Sequence, residues 1–316
     1  MNNKSYYIIF LFFLSGCVEH IFVIDIKPTG NFNVNYESSG NLDDMKNIDY
    51  PLPNSSEWEI TSPIHKKNNG YFFSSNKNFN QNEKITGNFT SSDSIPHSIS
   101  LKHPIEIKKS NFILFEIISF KCSFKNRQAH NKYPKLEKWL NNPDNNPEGM
   151  IKEILMYIIN QSIHDANLGF NIFPIVQNDI NNWFNNHINQ IQDSIIFNDL
   201  DNYLNQSKNI IQSNLMIQKT NIDSIMNIYK TEAEITMNLI DDDFKMKINM
   251  PNTIFIHNSD TLINEMLIWE FGLEGFIKND KNLYSYSYKI NYINIIISLA
   301  FLIIIYFYKK NVPSSI

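Results

Sequence analysis

The residues best suited to chemistry in this sequence are its eight histidines and its acidic clusters. No histidine has the His-Glu-x-x-His spacing that places two imidazoles on one helix face around zinc. His164 and Asp165 are adjacent at the end of a predicted helix, where a cationic or capping role is commoner than catalysis. Glu232 and Glu234 point to different faces of a predicted helix, which makes them a poor acid–base pair. These spacings predict no catalytic residue.

The densest acidic cluster is Asp241-Asp242-Asp243. Three adjacent carboxylates cannot all face one cation in a regular element, although a loop could bend them around Ca²⁺. We favour a solvated turn between a helix and a strand. The sequence has no Gly-x-Ser-x-Gly elbow, P-loop or dinucleotide-binding fingerprint, and it contains only nine glycines. We therefore predict no metal site and no cofactor.

At the amino end, Leu14-Ser15-Gly16-Cys17 follows a short apolar run from Tyr6 to Phe13, and Lys4 precedes that run. A basic residue, an apolar core and small residues before a cut are the three parts of a secretory signal peptide. The core is too short to span a bilayer, which needs about 20 residues. The motif resembles the lipobox of bacterial lipoprotein precursors. An ordinary signal peptide with an accidental cysteine is the alternative.

The lipobox resemblance implies that residues 1–16 form a signal peptide and that lipoprotein signal peptidase recognises Leu14, Ser15 and Gly16. It also implies that Cys17 becomes the first residue of the mature protein and carries fatty acyl groups such as palmitate. Two acyl chains hold a protein on a membrane stably, whereas a single chain binds reversibly. The first expected partner is therefore membrane lipid, attached covalently at Cys17.

The other end of the chain carries an uncharged stretch, Tyr292 to Tyr308, which is followed directly by Lys309 and Lys310. Tyrosines near both ends and flanking lysines are typical of membrane-spanning helices, and the lysines favour the cytoplasmic side. The sequence predicts a transmembrane helix over residues 291–308 and a short cytoplasmic tail over residues 309–316. Residues 17–290 are then extracytoplasmic, at the bacterial cytoplasmic (inner) membrane. A buried core helix is the alternative.

Between these ends the hydrophobic period changes twice. Residues 17–129 are β-rich, and they open with a hairpin whose strands, Glu19 to Ile26 and Asn31 to Ser38, flank a turn at Lys27–Gly30. Residues 130–240 have the spacing of amphipathic helices, and residues 241–290 return to a strand pattern. We predict an α+β fold in which the two β-rich segments form one mixed or antiparallel sheet with a helical insertion.

Several side chains have a predicted environment. Cys122 lies in a predicted strand from Phe112 to Phe124, which pairs with Ile105 to Lys108, and we expect a buried residue rather than a reactive thiol. Core packing is also predicted for four aromatic residues: Trp183, Phe184, Trp269 and Phe271. A surface position is predicted for four histidines near prolines or loops: His65, His97, His103 and His130.

Two parts of the body resemble a known family. Cys17-Val18-Glu19-His20 opens the first hairpin, and Met250-Pro251-Asn252, Asn258-Ser259-Asp260 and Ile268-Trp269 follow near the end of the body. This pattern is similar to the LppM-type domain of bacterial lipoproteins. The resemblance implies a β-rich extracytoplasmic domain directly after the lipidated cysteine, and it implies binding of a lipid or glycolipid. The chain departs from the family in its turn residues and in its long helical insertion.

Composition limits the classes of function that remain. A net charge of -5 and a pI near 5.9 argue against a nucleic-acid partner, because such a surface needs clustered lysine and arginine. We favour a membrane-anchored lipoprotein that is a non-enzymatic binding or assembly module of the cell envelope, with an envelope protein or a lipid as its partner. One alternative is an envelope enzyme with dispersed catalytic residues. Another is a lipid- or glycolipid-binding protein, as the LppM resemblance implies.

Overall fold

The computed structural model of the protein describes most of the chain between Val18 and Asn311. The described ranges are 18–46, 52–53, 58–67, 70–81, 83, 103–142, 148–166, 168, 170–214 and 222–311. The predicted signal peptide, Cys17 and His97 lie outside these residues.

The strands of the described residues form two sheets. In chain order they are β1 (Glu19–Ile26), β2 (Phe32–Gly40), β3 (Glu59–Lys67), β4 (Gly70–Phe79), β5 (Ile105–Asn111), β6 (Phe115–Phe124), β7 (Asp243–Asn249), β8 (Thr253–His257), β9 (Thr261–Ile263), β10 (Met266–Phe271) and β11 (Lys281–Ile290). The larger sheet has the order β3-β4-β2-β1-β7-β10-β9, and the smaller sheet has the order β5-β6-β11-β8. Early and late strands therefore meet in both sheets.

The first predicted hairpin is confirmed. β1 and β2 pair antiparallel from Glu19 opposite Ser39 to Ile26 opposite Phe32. Gly30 closes the turn with a φ of 92°, and its N–H donates to the carbonyl of Lys27 over 2.8 Å. Glycine adopts this left-handed conformation without the steric cost that a Cβ would add. The turn at Gly30 therefore sets the register in which β1 pairs with β2.

A parallel pairing makes the larger sheet mixed. β1 lies beside β7 in parallel register, with Glu19 opposite Asp243 and Asp25 opposite Asn249. β10 then pairs antiparallel with β7 on its other side. The helices from Ala129 to Asn238, together with β2 to β6, lie between β1 and β7 in sequence, which gives the long crossover that a parallel pair requires.

The smaller sheet is antiparallel, and its hairpin differs from the prediction. β5 continues to Asn111 and β6 begins at Phe115, so Phe112 to Leu114 form the tip of the hairpin rather than the start of a strand. Phe112 N–H donates to the carbonyl of Phe115 over 2.8 Å and closes this tip. The apolar residues of the tip had the composition of a strand, but they are exposed.

The two sheets pack face to face around one apolar core. Alternate residues of β1 are buried, among them Phe22 and Ile24, and they belong to the same cluster as Phe120 of the smaller sheet. The rings of Phe124 and Phe271, which come from different sheets, have centroids 4.9 Å apart. Cys122 is 2% exposed in this core, so its prediction as a buried strand residue is confirmed.

Helices occupy the chain between β6 and β7 and pack around a second apolar core. They are Ala129–Lys132, Pro134–Asn141, Met150–Asp165, Phe173–Trp183, Asp193–Asn198, Leu200–Asn214 and Ile222–Asn238, with a π-helical turn at Phe184–Ile188. Short 3₁₀ turns lie at Asp44–Lys46, Leu239–Asp241 and Leu273–Gly275. Amphipathic spacing produces these helices because each buries one apolar stripe against its neighbours.

The predicted single sheet is wrong, although the chain is α+β with a mixed sheet. Residues from both β-rich segments divide between two sheets, because β6 pairs with β11 whereas β1 pairs with β7. Period-two alternation identifies strands that bury one face, but it does not tell which strands share a sheet.

The predicted transmembrane helix is also wrong. A helix, Tyr292–Asn311, follows β11, but no helix within the described ranges is long and apolar enough to cross a membrane. Its uncharged part, Tyr292 to Tyr308, rises roughly 26 Å at about 1.5 Å per residue, which is less than the ~30 Å of a hydrocarbon core. The cytoplasmic position of Lys309 and Lys310 depended on a span at residues 291–308 and stays a prediction.

Candidate functional site

The described part of the chain begins directly after the predicted lipidation site. Leu14, Ser15, Gly16 and Cys17 lie outside the described residues, whereas Val18 is 1% exposed. The carbonyl of Val18 accepts a hydrogen bond from Asp243 N–H over 2.9 Å, at the start of the β1–β7 pairing. Cys17, to which the lipobox resemblance assigns the acyl groups, directly precedes this buried residue in the sequence.

A buried polar chain lies next to this end of β1. Tyr36 Oη lies 2.8 Å from His20 Nδ1, and Asp242 Oδ2 lies 3.3 Å from His20 Nε2. His20, Tyr36 and Asp242 are 2%, 0% and 2% exposed. The His20 ring also stacks on Phe244, with centroids 5.0 Å apart. The three aspartates lie where a helical turn leads into β7, as predicted, and Asp243 is exposed. The predicted solvation is wrong for Asp242, because the parallel β1–β7 pairing carries this carboxylate to His20.

A histidine bonded to a hydroxyl on one side and to a carboxylate on the other resembles a catalytic general base. The burial of these three side chains, however, excludes that role. A catalytic base must come within hydrogen-bond reach of its substrate. None of the three side chains offers such access, since each is at most 2% exposed. The chain of hydrogen bonds instead satisfies polar groups that would be costly to bury alone. This chain of hydrogen bonds therefore stabilises the packing of β1, β2 and β7 against one another.

Three carboxylates near His20 could hold a cation. Asp44, Asp241 and Asp242 each offer one oxygen, and these oxygens lie within 4.8 Å of one another. Burial raises the pKa of Asp241, a hydrogen bond from its own backbone N–H lowers it, and the neighbouring Asp243 raises it; the net pKa is above the usual range. Calcium takes 6–8 oxygen ligands, of which this cluster would supply three. The cluster alone does not identify a metal site.

The other histidines in the described ranges have varied surroundings. His103 is buried and stacks on Phe124 at 5.3 Å, so its predicted surface position is wrong. The side chain of His164 is 76% exposed and lies 3.0 Å from Asp165. His130 Nδ1 lies 2.6 Å from Glu137 Oε2 at the helical segment. Sequence reasoning missed His20, whose only local signal was a position on the buried side of an alternating strand.

A second buried polar group lies at the start of the helical segment. Arg127 and Lys132 both bind Glu232, which is 5% exposed, at N–O distances of 2.8 Å. Glu234 faces Lys230 instead, and its side chain is 42% exposed. The two glutamates thus point in different directions, as predicted. Their spacing did not indicate that Glu232 would bind the side chains of Arg127 and Lys132, which lie about 100 residues earlier in the chain.

An extended exposed apolar feature of the described residues lies where β6 begins and β11 ends. We call it the apolar end surface; it comprises the hairpin tip Phe112–Phe115 and the helix stretch from Tyr292 to Tyr308. Asn294 Nδ2 donates to the carbonyl of Ile113 over 2.8 Å, and Asn291 N–H donates to the carbonyl of Leu114 over 2.9 Å. These bonds hold the tip against the first turn of the helix.

Side chains of the apolar end surface face solvent. Ile113 is 75% exposed; Ile295 is partly buried, and the exposed large apolar residues of the helix range from 40% at Ile305 to 72% at Tyr308. A helix that is apolar on all sides is normally buried, and contiguous exposed apolar surface marks a site of association. Within the described part of the chain, this surface is the clearest candidate for binding.

The outer face of the smaller sheet carries a different surface. We call it the tyrosine face; it comprises Tyr284, Tyr286 and Tyr288 of β11, Phe255 of β8 and Lys121 of β6. Phe255 packs on Tyr288 with ring centroids 5.6 Å apart, and Lys121 Nζ lies 5.9 Å from the Tyr286 ring centre. Leu283, Ser285 and Ser287 alternate with these tyrosines and are buried.

Comparison with known proteins adds little to this geometry. No protein-family model and no curated protein matches the chain. Among solved structures, the NMR structure of the folded domain of Mycobacterium tuberculosis LppM matches with 6% identity and a TM-score of 0.34. The match covers 88% of this chain and 92% of that chain. A TM-score of this size indicates only a weak fold resemblance, and it does not test the lipobox.

Proposed function

We propose that this protein is a non-enzymatic lipoprotein of the bacterial envelope, attached through Cys17 to the outer face of the cytoplasmic membrane. In this proposal its body binds membrane lipid through the apolar end surface. The exposure of that surface is the observation on which the proposal depends. Contact with lipid does not require the helix Tyr292–Asn311 to cross the membrane.

The hydrophobic effect favours the burial of the apolar end surface against a partner. Burying apolar area is worth about 25 cal/mol per Å², and side chains such as Ile113, Phe301 and Ile304 are each more than half exposed. Lipid on Cys17 would keep the body close to a membrane, which raises the effective concentration of acyl chains around it. A lipid surface is therefore the partner that the proposed anchor makes most accessible.

The titratable clusters support a binding role rather than catalysis. The His20 and Glu232 groups are buried and bonded to neighbouring side chains, and they serve the packing of strands and helices. By contrast, the apolar end surface has large exposed side chains and few polar groups. The chemistry that the described surface offers to a partner is therefore mainly apolar contact.

Cross-linking to lipid tests this function. The full-length protein, purified with its native modification, is incorporated into phospholipid vesicles that carry a photoreactive group on one acyl chain. After illumination, mass spectrometry maps the cross-linked peptides. We expect cross-links at residues 112–115 and 292–308, and none at Phe170, which is 100% exposed but belongs to the helical segment.

A matched pair of variants separates this contact from non-specific adhesion. Phe301→Gln/Ile304→Gln should remove most cross-links at the helix, whereas Phe170→Ser should leave them unchanged. Both changes replace exposed apolar side chains, so neither is expected to disturb the cores. Equal cross-linking of all three proteins, or an absence of cross-links from the helix of the native protein, would overturn the proposed lipid contact.

A further inference from the structure

We propose that the tyrosine face lies against the membrane surface, so that the strands of the sandwich run along the bilayer rather than away from it. This inference rests on the proposed function and specifies which side of the body meets the lipid. The partner is a phospholipid surface, contacted at the depth of its headgroups.

The lipid anchor proposed at Cys17 and the helix Tyr292–Asn311 are attached to opposite ends of the sandwich. Val18 precedes β1 at the end where His20 lies opposite Phe244 in register. Phe124, the last residue of β6, packs on Phe244 with ring centroids 5.4 Å apart, so the end of β6 lies at this same end. The helix Tyr292–Asn311 begins at the other end of β6, because Ile290 pairs with Phe115.

An independent contact confirms the direction of the strands. Lys109 Nζ donates to the carbonyl of Pro28 over 2.9 Å, which places the turn after β1 near the hairpin tip of the smaller sheet. β1 therefore runs from the Val18 end towards the apolar end surface. The separation of the two ends follows from the ten residues of β6 and is about 30 Å at roughly 3.3 Å per residue.

This separation constrains the orientation. If the strands were perpendicular to the bilayer, with the Val18 end at the membrane, the hairpin tip would be held about 30 Å from the lipid that anchors Cys17. The described chain has no linker at either end that would change this distance, since Val18 is buried and Asn291 is bonded to Leu114. Both ends reach one bilayer only when the long axis of the sandwich lies along the membrane.

The outer faces of the two sheets differ in the chemistry that they would offer to headgroups. The tyrosine face combines three tyrosine rings, one phenylalanine and the exposed Lys121. Tyrosine places an apolar ring and a polar hydroxyl across the membrane–water boundary, and lysine attracts anionic headgroups. The outer face of the larger sheet instead carries an amide ladder, in which Asn33 binds Asn76 and Asn78. Its Lys245 is paired with Glu270. The tyrosine face is therefore the side that fits a bilayer.

Site-directed spin labelling can measure this orientation. Cys122 is 2% exposed, so a single introduced cysteine can be labelled in the folded, lipidated protein. Ser119→Cys places a nitroxide on the tyrosine face, and Asn78→Cys places one on the outer face of the larger sheet. In vesicles containing anionic phospholipid, electron paramagnetic resonance compares collisions with oxygen, which enters lipid, and with a water-soluble nickel complex.

We expect vesicles to raise oxygen access and lower nickel access at the Ser119 label while leaving the Asn78 label unchanged. Unchanged access at both labels, or a shift at the Asn78 label alone, would overturn the orientation. Vesicle flotation and acyl labelling of the same samples separate the two proposals. Protein that floats and is acylated but lacks the Ser119 shift contradicts only the orientation, whereas protein that neither floats nor carries lipid contradicts the proposed function.

Discussion

Arg127 and Glu232 form a buried ion pair that joins the β-sandwich to the helical segment. Arg127 Nη2 lies 2.8 Å from Glu232 Oε2, and the two side chains are 5% and 6% exposed. Arg127 follows β6, whereas Glu232 belongs to the helix Ile222–Asn238, whose end leads into β7. Arg127 also donates to Thr236 Oγ1 in the same helix. The pair therefore fixes the helix that returns the chain to the larger sheet.

Glu232→Ala should lower the free energy of unfolding by about 3–5 kcal/mol, because it removes the carboxylate that faces a buried guanidinium. Urea denaturation followed by far-ultraviolet circular dichroism measures the change. A loss below ~1 kcal/mol would show that the ion pair is not buried as described, since surface pairs contribute that little.

Two variants serve as controls for the ion pair. Arg127→Met/Glu232→Leu removes both charges of the pair together, and it should recover much of the stability lost in Glu232→Ala, because no unpaired guanidinium is left in the core. Lys132 loses Glu232 in both variants, so its contribution is the same in each. Glu234→Ala, in the same helix, removes a side chain that is 42% exposed and should cost less than about 0.5 kcal/mol. Equal losses in Glu232→Ala and the double variant would contradict an electrostatic origin.

Asp280 gives the fold a pH dependence with a definite sign. Burial raises the pKa of Asp280, but hydrogen bonds from Lys125 and from the backbone and side chain of Asn126 outweigh that effect, so the net pKa is below its usual range. The Lys125 Nζ–Asp280 Oδ2 distance is 2.7 Å. Because the folded pKa is depressed, this stabilisation is present above the unfolded pKa of about 4 and is lost as the pH falls through the folded pKa.

Asp280→Asn should therefore cost about 1–2 kcal/mol of unfolding free energy at pH 7 and progressively less below pH ~4. Urea titrations across this pH range measure the convergence of the two proteins. Asp223→Asn is the control: Asp223 pairs with Lys208 but is 61% exposed, and its loss should cost less than ~0.5 kcal/mol. A difference between Asp280→Asn and the native protein that grows on acidification would contradict the assigned sign.

Two buried tyrosines provide a matched test of the His20 chain. Tyr36 Oη bonds to His20 Nδ1, so Tyr36→Phe should lower the unfolding free energy by about 1–2 kcal/mol while retaining the packed ring. Within the described part of the chain, the hydroxyl of Tyr133 is buried and has no hydrogen-bond partner. Tyr133→Phe should therefore be neutral or stabilising. Chemical denaturation of both variants would refute the assignment if Tyr133→Phe were the more damaging.

Local sequence signals were sufficient for elements whose residues are neighbours in the chain. The turn at Lys27–Gly30 and the alternation around it predicted the β1–β2 hairpin, which forms as expected. Apolar spacing likewise predicted amphipathic helices within residues 130–240, where Met150–Asp165 and Ile222–Asn238 form. In these segments the periodicity, the turn chemistry and the burial all depend on residues close together in sequence.

The remaining features depend on partners that are distant in sequence. His20 binds Asp242 across 222 positions, and no spacing within either segment indicates that contact. The division into two sheets likewise follows from which strands pair, since β6 pairs with β11 whereas β1 pairs with β7. The predicted transmembrane helix failed for another reason: composition indicated the apolar character of the stretch from Tyr292 to Tyr308, but its length was too short.

The two cysteines allow the lipid anchor to be tested with an internal control. Cys17→Ala should abolish incorporation of labelled palmitate and leave an uncleaved precursor, because the proposed acyl attachment requires the thiol of Cys17. Cys122→Ala should retain the label, since Cys122 is buried in the core and desolvation raises the pKa of its thiol. Metabolic labelling and gel electrophoresis measure both outcomes.

The pattern of label across these variants assigns the site. Label retained by Cys17→Ala would refute the lipobox, because acylation would then occur elsewhere. Label lost from both variants would point to impaired folding or export, since Cys122 contributes one side chain to the core near Phe120 and Phe124. Loss from Cys17→Ala alone would place the lipid one residue before Val18, at the end of the sandwich opposite the apolar end surface.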